Sequence, residues 1–195
     1  MLALVTACAR ASAPPELPAP VMKPPVSLPP SARTLPATSA DAEYFADHDL
    51  MVPVAGVSPS QLRDSFNEGR SGGRTHRATD ILAPRGTPVI AAIDGEVVTF
   101  RQNSAGGNTV YLTDSEHRYI YYYAHLDRFS DKVLQSVRVR QGEVIGYVGT
   151  TGNAPPDTPH LHFQVMRMNP GQADWWSGTP VDVRKLITLT GRVRE

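Results

Sequence analysis

The sequence predicts an all-β fold, mainly antiparallel, built as a β-sandwich or open barrel with few short helices. Three observations support this fold class. After residue 50 the chain consists of short runs rich in Val, Ile, Tyr and Phe, in which apolar and polar residues alternate. Gly, Pro, Asn and Asp interrupt these runs at intervals of about eight to twelve residues, a spacing typical of sandwiches and barrels. Helical periodicity is weak along the whole chain.

The individual elements follow from this pattern in chain order. Three short segments are candidate helices, two before the strands and one after them: Asp41–Asp47, Pro59–Asp64 and Val183–Leu189. Seven alternating runs are predicted strands: Thr79–Ala83, Pro88–Ile93, Glu96–Arg101, Thr109–Thr113, Arg118–His125, Glu143–Val148 and His160–Met166. Glycine-containing turn signals separate them: Arg85-Gly86, Asp94-Gly95, Gly106-Gly107, Gln141-Gly142 and Gly149–Gly152.

The charge balance excludes several classes of protein. The 195 residues include 19 Lys and Arg against 19 Asp and Glu, so the formal net charge is zero. Proteins that bind nucleic acid usually carry a basic excess, so no nucleic-acid partner is expected. No stretch approaches the roughly 20 apolar residues of a membrane-spanning helix, and a single cysteine excludes an intramolecular disulfide. The length suits one domain with some additional chain, which we expect to be a monomer.

The N-terminal region differs in composition from the rest of the chain. Nine of the 18 prolines lie between Pro14 and Pro36, in a segment rich in Ala and Ser. Such a segment buries too little apolar surface to offset its ordering entropy. Residues 10–40 are therefore predicted to form a disordered tether, and residues 41–195 the folded domain.

A candidate lipidation signal precedes the tether. Val5-Thr6-Ala7-Cys8 resembles the lipobox of bacterial lipoproteins, in which a small residue precedes a lipidated cysteine. Residues 1–9 are therefore interpreted as a signal remnant and lipobox, with a lipid on Cys8 as the only membrane contact. The alternative is an ordinary terminus with an incidental cysteine. A tether directly after Cys8 favours an anchored chain and predicts the periplasmic face of the cell envelope.

Two histidine motifs are the main candidates for a functional site. His76 and Asp80 form an HxxxD motif where a turn enters a predicted strand, and His160 and His162 form an HxH motif. Because side chains alternate along a strand, His160 and His162 point to the same face.

A third histidine ends a tyrosine-rich strand. His125 follows Tyr121 and Tyr123, which are expected to share its face of the strand. Tyr123 is therefore a candidate substrate contact beside His125. Arg74, two residues before the HxxxD motif, is a second candidate, suited to a carboxylate of the substrate.

The motifs are stronger evidence for a functional site together than singly. A lone histidine is more often a surface residue than a ligand, and HxxxD arises often by chance. Together they supply two imidazoles and one carboxylate, the ligand types and number of an open catalytic zinc site, with two further histidines for proton transfer. His48 and His117 lie in polar segments and are expected to be structural or exposed.

The chain resembles the lysostaphin-type (LytM-like) zinc metalloendopeptidases of peptidoglycan in three blocks that occur in the family's order: GRTHRATDILAPRGTPVIAAIDGEVV, YYYAHLD and VRQGEVIGYVGTTGNAPPDTPHLHFQV. The similarity covers roughly residues 50–185. It implies a sheet of the duplicated hybrid-motif type and peptidoglycan as the partner. It also implies one Zn²⁺ ion bound by His76, Asp80 and His162, with His125 and His160 as the catalytic residues.

The resemblance implies a mechanism as well. Zinc with two neutral imidazoles and one carboxylate keeps a net positive charge and can bind a water, whose pKa falls to about 7. His125 and His160 would then exchange protons with the water and the leaving amine, or stabilise the oxyanion. One position departs from the family: Ala78 stands where HxGxD is common, and a glycine there would permit an unusual φ or a close backbone approach.

Two other functions are compatible with parts of the sequence. Domains of this family that have lost zinc ligands activate cell-wall amidases, whereas all five positions are present here. Gly95–Val98 and Val139–Val144 also resemble lipoyl, biotin and phosphocarrier domains, with Lys132 as a candidate carrier lysine. The choice of peptidoglycan bond depends on loops such as Asn67–Gly73 and Gly152–Pro159, so the sequence leaves it open.

Overall fold

The computed structural model describes residues 37–169, 174–188 and 191–194. The predicted lipidation site Cys8 and the predicted tether as far as residue 36 lie outside the described residues. The described chain begins with helix α1 (Ser39–His48), which Thr38 and Asp41 cap reciprocally. Helix α1 therefore includes the last two residues that the sequence analysis assigned to the tether.

The described residues contain eleven strands: β1 (Gly69–Arg70), β2 (Arg74–Thr75), β3 (Thr79–Leu82), β4 (Pro88–Ile90), β5 (Gly95–Asn103), β6 (Gly107–Thr113), β7 (Tyr119–Phe129), β8 (Arg138–Val139), β9 (Val144–Val148), β10 (His160–Arg167) and β11 (Thr179–Val181). A second helix, α2 (Asp131–Leu134), follows β7. Short 3₁₀ helices occur at Pro59–Gln61, Ser71–Gly73 and Trp175–Ser177. All seven predicted strands have a counterpart, with ends shifted by up to four residues.

Nine of these strands form one antiparallel sheet. Its main path is β11-β10-β7-β6-β5-β8, and β3 pairs with β10 while β9 pairs with β7 and β4. The path does not return to its first strand, so the sheet is open and not a closed barrel. β1 and β2 form a separate two-stranded hairpin. This architecture confirms the predicted all-β, mainly antiparallel fold class.

Two predicted helices differ from the structure. The predicted helix Pro59–Asp64 contracts to the 3₁₀ helix Pro59–Gln61. The predicted helix Val183–Leu189 is wrong, because its described part makes only a single turn. The N–H of Thr188 donates to the carbonyl of Leu50 at 3.1 Å, so the backbone is bound to another segment and does not continue a helix. No helix of the described residues has the length and apolar character needed to cross a membrane.

The two faces of the central strands differ in what they contact. One face carries the core, whose largest buried side chains on β7 and β10 are Tyr119, Tyr121, Tyr123, Leu161 and Phe163. Helix α1 packs Tyr44 and Phe45 against this face. The alternation of side chains places Tyr122, His160 and His162 on the opposite face, and the ring edge contact of Tyr122 with His162 agrees with that. The candidate site therefore lies on the side of the sheet away from α1.

Asp41 joins α1 to the sheet. The residue is 1% exposed. Its carboxylate accepts hydrogen bonds from the hydroxyl of Tyr119 at 2.8 Å and from the guanidinium of Arg167 at 2.7 and 2.8 Å. The capping residue of α1 is thus also an ion-pair partner of β10.

Candidate metal centre and active site

All three predicted metal ligands, His76, Asp80 and His162, converge. Nε2 of His76 lies 2.9 Å from Oδ1 of Asp80 and 3.0 Å from Nδ1 of His162. Oδ1 of Asp80 and Nδ1 of His162 are 3.1 Å apart. His162 lies directly opposite Asp80 in the pairing of β10 with β3. The turn between β2 and β3 supplies His76. Groups distant in sequence therefore form a compact triangle of two nitrogens and one oxygen.

This triangle fits a tetrahedral zinc ion. Zn²⁺ binds His nitrogen and Asp oxygen at about 2.0–2.2 Å, so two ligand atoms of one ion lie about 3.3 Å apart. The observed separations need to widen by only a few tenths of an ångström. Nδ1 of His76 lies 2.9 Å from the carbonyl of Ser65, to which it can only donate. In the neutral ring, Nε2 of His76 is therefore left with the lone pair that a metal requires.

His125 and His160 lie beside this triangle. Their ring centroids are 5.0 Å apart, and Nε2 of His160 is 3.9 Å from Oδ1 of Asp80. Each ring donates its Nδ1 hydrogen to a backbone carbonyl at 2.8 Å, His125 to Thr151 and His160 to Thr158. In the neutral rings both Nε2 atoms therefore carry a lone pair, ready to accept a proton.

Burial and hydrogen bonding together set the protonation states of His125, His162 and Asp80. Burial lowers the pKa of His125 to about 4, although the hydrogen bond to the carbonyl of Thr151 favours the charged ring. Burial also lowers the pKa of His162. Burial raises the pKa of the Asp80 carboxyl, but hydrogen bonds from His162 and His76 outweigh it and hold the pKa below its ordinary value. At neutral pH the imidazoles of His125 and His162 are neutral and Asp80 is ionised, and neutral imidazole and carboxylate are the forms that bind metal.

The backbone at His125 corrects the prediction that its side chain shares a face with Tyr121 and Tyr123. His125 has a φ of 62°, in the left-handed region, and its N–H donates to the carbonyl of Gly106 at 2.7 Å. His125 lies within β7 at a bulge in the pairing with β6, and this bulge breaks the alternation of the strand. The ring of His125 therefore faces His160, whereas both tyrosines stay in the core.

Tyr123 does not line the site, and the prediction that it contacts substrate is wrong. Its side chain is fully buried and its ring packs against Phe163, with centroids 5.1 Å apart. Its hydroxyl oxygen accepts a hydrogen bond from the N–H of Ala92 at 3.0 Å. The tyrosine on the site's face is Tyr122, whose ring edge meets His162 at a centroid distance of 5.9 Å.

Ala78 fits the backbone of the turn that carries His76. The left-handed φ in this turn belongs to Arg77 (59°), and Ala78 is not among the residues with positive φ. Ala78 is 2% exposed, and its carbonyl accepts a hydrogen bond from Oγ of Ser65 at 3.3 Å. The backbone at position 78 therefore has no left-handed φ that would require glycine, and alanine is compatible with it.

Four groups that orient the side chains of the site were not identified by the sequence analysis. Three are backbone carbonyls, which have no side-chain signature: Ser65, Thr151 and Thr158. The fourth is the guanidinium of Arg70, whose Nη2 donates to Oδ2 of Asp80 at 2.6 Å. Arg70 lies in a segment predicted only as a loop and belongs to none of the motifs, so nothing in the sequence indicated its role.

The remaining candidates lie elsewhere on the surface or in structural contacts. Arg74 is exposed on β2, and its contact with substrate stays a prediction. His117 is exposed in the turn between β6 and β7. His48 stacks on the ring of Tyr44 with centroids 4.0 Å apart. Both histidines are therefore exposed or structural, as predicted.

Comparison with known proteins identifies relatives of this chain. Residues 74–182 match the model of Peptidase family M23. An L-Ala--D-Glu endopeptidase of Bacillus subtilis (strain 168) is 37% identical over 138 residues, which are 67% of this chain and 41% of that protein. The peptidoglycan DD-endopeptidase ShyC of Vibrio cholerae is 37% identical over 126 residues, 63% of this chain and 26% of that protein. The chain thus spans less than half the length of either relative.

Solved structures share the fold of this chain. The catalytic domain of the antimicrobial peptidase lysostaphin from Staphylococcus simulans superposes with a TM-score of 0.50 at 25% identity, covering 75% of this chain and 96% of that one. A zinc-containing peptidase from Vibrio cholerae superposes with a TM-score of 0.52 at 25% identity, covering 72% and 40%. Both likenesses agree with the open antiparallel sheet described above.

Proposed function

The chain belongs to peptidase family M23, and on this basis we propose that it is a zinc-dependent endopeptidase that hydrolyses amide bonds in the stem or cross-bridge peptides of peptidoglycan. One observation carries the proposal: the ligand atoms of His76, Asp80 and His162 converge beside two further histidines. Support also comes from the relatives, which are named as endopeptidases.

His76, Asp80 and His162 would hold a single Zn²⁺ ion. When bound, zinc acidifies a coordinated water and polarises the carbonyl of the scissile amide. The chain contributes two imidazoles and an ionised carboxylate, a donor set that leaves one position of a tetrahedral ion open. The hydrogen bond from His76 to the carbonyl of Ser65 keeps the first ligand in the required tautomer.

His125 and His160 supply the proton transfers. Each presents Nε2 to the site because its Nδ1 is bound to a backbone carbonyl. A neutral Nε2 can accept the proton of the attacking water, and the resulting imidazolium can donate it to the leaving amine. In its charged form either ring also stabilises the oxyanion of the tetrahedral intermediate.

The substrate class is peptidoglycan, and the bond that is cut is a matter for experiment. The two relatives are named for different bonds, L-Ala–D-Glu in one and a D,D bond in the other. We place the enzyme in the cell envelope, where its substrate lies. Lipidation of Cys8, a periplasmic location, a monomeric state and a role for Arg74 in substrate binding are predictions from sequence alone.

The alternative functions have less support. An activator of amidases needs no intact zinc site, whereas the ligand triangle is complete here. A carrier domain would use Lys132, but this residue lies in helix α2 and not in a hairpin turn. Neither alternative explains why the polar side chains of three distant segments meet at one point.

Digestion of purified peptidoglycan of known cross-link type tests the proposal and identifies the bond. The soluble fragments are identified by mass spectrometry. We expect new fragments with the wild-type protein, none after treatment with a chelator, and recovery when Zn²⁺ is added back. A folded, zinc-loaded protein that releases no fragment from any cross-link type, yet stimulates an added amidase, would replace the proposal with the activator function.

A further inference from the structure

Arg70 contacts a metal ligand from outside the ligand set. Its Nη2 donates to Oδ2 of Asp80 at 2.6 Å, a short charge-assisted hydrogen bond. The other carboxylate oxygen, Oδ1, faces His76 at 2.9 Å and His162 at 3.1 Å. The two oxygens of Asp80 therefore have separate partners, one in the metal triangle and one on Arg70.

The backbone holds Arg70 at a defined place beside the triangle. Arg70 pairs with Arg74 in the β1–β2 hairpin. The same antiparallel register continues beyond the hairpin, where the N–H of His76 donates to the carbonyl of Glu68 at 2.9 Å. The strand that carries Arg70 is thus bound directly to the strand that delivers the first metal ligand.

A line of alternating charges extends from the site to the surface. Nη1 of Arg70 lies 3.7 Å from Glu68, and Glu68 lies 3.6 Å from Arg63. The side-chain exposure is 22% at Asp80, 38% at Arg70 and 68% at Arg63. Arg70 is the member of this line that touches a predicted metal ligand, through its hydrogen bond to Oδ2 of Asp80.

We propose that Arg70 is a positioning residue, which holds Oδ2 of Asp80 so that only Oδ1 is offered to the metal. The inference rests on the proposed zinc site. Hydrogen bonds to ligating carboxylates set ligand orientation, and their loss typically lowers metal affinity by about 10–100-fold. Without the guanidinium, Asp80 is free to rotate and to bind through both oxygens, which would raise the coordination number of the ion from four to five.

Three variants test this role. Arg70→Met removes the donors and keeps much of the side-chain volume, and Arg70→Lys keeps the charge with a single compact donor group. Arg138→Met is the matched control, because it removes an arginine whose Nε lies 3.0 Å from Glu96, an exposed ion pair outside the site. The measurements are Zn²⁺ affinity by competition with a chromophoric chelator and the visible spectrum of the Co²⁺-substituted protein.

We expect Zn²⁺ affinity to fall about 10–100-fold in Arg70→Met, less in Arg70→Lys, and not at all in Arg138→Met. The Co²⁺ spectrum of Arg70→Met should lose intensity relative to wild type, as coordination changes from four to five. Unchanged affinity and spectrum in both Arg70 variants would overturn the inference. If Arg70→Met fails to fold, the spectrum of Arg70→Lys decides. A wild-type protein that binds no zinc would instead reject the proposed function itself.

Discussion

His162 lies directly opposite Asp80 in the antiparallel pairing of β10 with β3, with its Nδ1 3.1 Å from Oδ1 of the carboxylate. The register of two strands therefore sets the separation of two proposed metal ligands. A ligand that binds only the folded chain stabilises it, by about 2.7 kcal/mol at a hundredfold excess over its Kd. Zinc binding and the pairing of β3 with β10 should consequently be coupled.

Removal of zinc should lower the melting temperature of the wild-type protein, and Asp80→Ala should abolish this response. The variant lacks one of three protein ligands, so we expect its peptidoglycan activity to fall by at least about 100-fold. Calorimetry with and without chelator, together with fragment release, measures both effects. A chelator-induced shift of equal size in Asp80→Ala would place the metal elsewhere.

Replacement of either proton-transfer histidine should leave zinc binding intact. We expect His160→Ala and His125→Asn to retain one zinc per chain and to lose about 10²–10⁴-fold in turnover. Asparagine is chosen at residue 125 because it tolerates a left-handed φ. His117→Asn, at an exposed turn with a φ of 54°, is the control. Wild-type turnover in His160→Ala, measured by fragment release, would remove His160 from the mechanism.

The sequence predicts the strands and the convergence of His76, Asp80 and His162 better than the orientation of individual side chains. Alternation correctly places His160 and His162 on one face, because β10 is regular. It fails at His125, which has a left-handed φ at a bulge in the pairing of β7 with β6, because a bulge depends on the register of two strands and not on the pattern within one. The same alternation argument places Tyr123 beside His125, whereas the structure buries Tyr123 in the core. The role of Arg70 could not be predicted, because it depends on a hydrogen bond to Asp80, ten residues further along the chain.

Gly152 should be required for the placement of His125. Its φ is 76°, and an added Cβ would overlap the backbone of Ala105 and Gly107. We expect Gly152→Ala to displace the adjacent carbonyl of Thr151 and to lower turnover by about 100-fold, with zinc affinity within a few-fold of wild type. Gly86→Ala is the matched control, since Gly86 has a φ of 85° and open space around it. Equal losses of turnover in the two variants would attribute the effect to backbone strain alone.

Tyr123→Phe should affect stability and not substrate binding. The hydroxyl oxygen of Tyr123 accepts the N–H of Ala92 in the core, so its removal leaves a buried donor unpaired. The expected loss is about 1–3 kcal/mol in the free energy of unfolding, measured in urea. KM for a soluble peptidoglycan fragment should stay unchanged. A raised KM at unchanged stability would return Tyr123 to the substrate site.

Asp41 should make the attachment of α1 to the sheet sensitive to acid. Burial raises the pKa of the Asp41 carboxyl, but hydrogen bonds from Thr38, Tyr119 and Arg167 outweigh it, and the pKa lies below its ordinary value. The unfolded chain therefore binds this proton at a higher pH than the folded chain does. The stabilisation is complete above about pH 4 and is lost as the pH falls through the lowered pKa.

Asp41→Asn removes this carboxylate and keeps its shape. At pH 7 the free energy of unfolding should be lower than that of wild type by about 2–3 kcal/mol, because a nearly buried partner of Arg167 loses its charge. The difference between the two proteins should shrink as the pH falls below about 4, where the carboxyl of the unfolded wild-type chain begins to gain a proton and wild-type stability falls. Urea unfolding at pH 7 and pH 3 measures it. A difference that stays constant between these two pH values would show that the ion pair with Arg167 contributes nothing to stability.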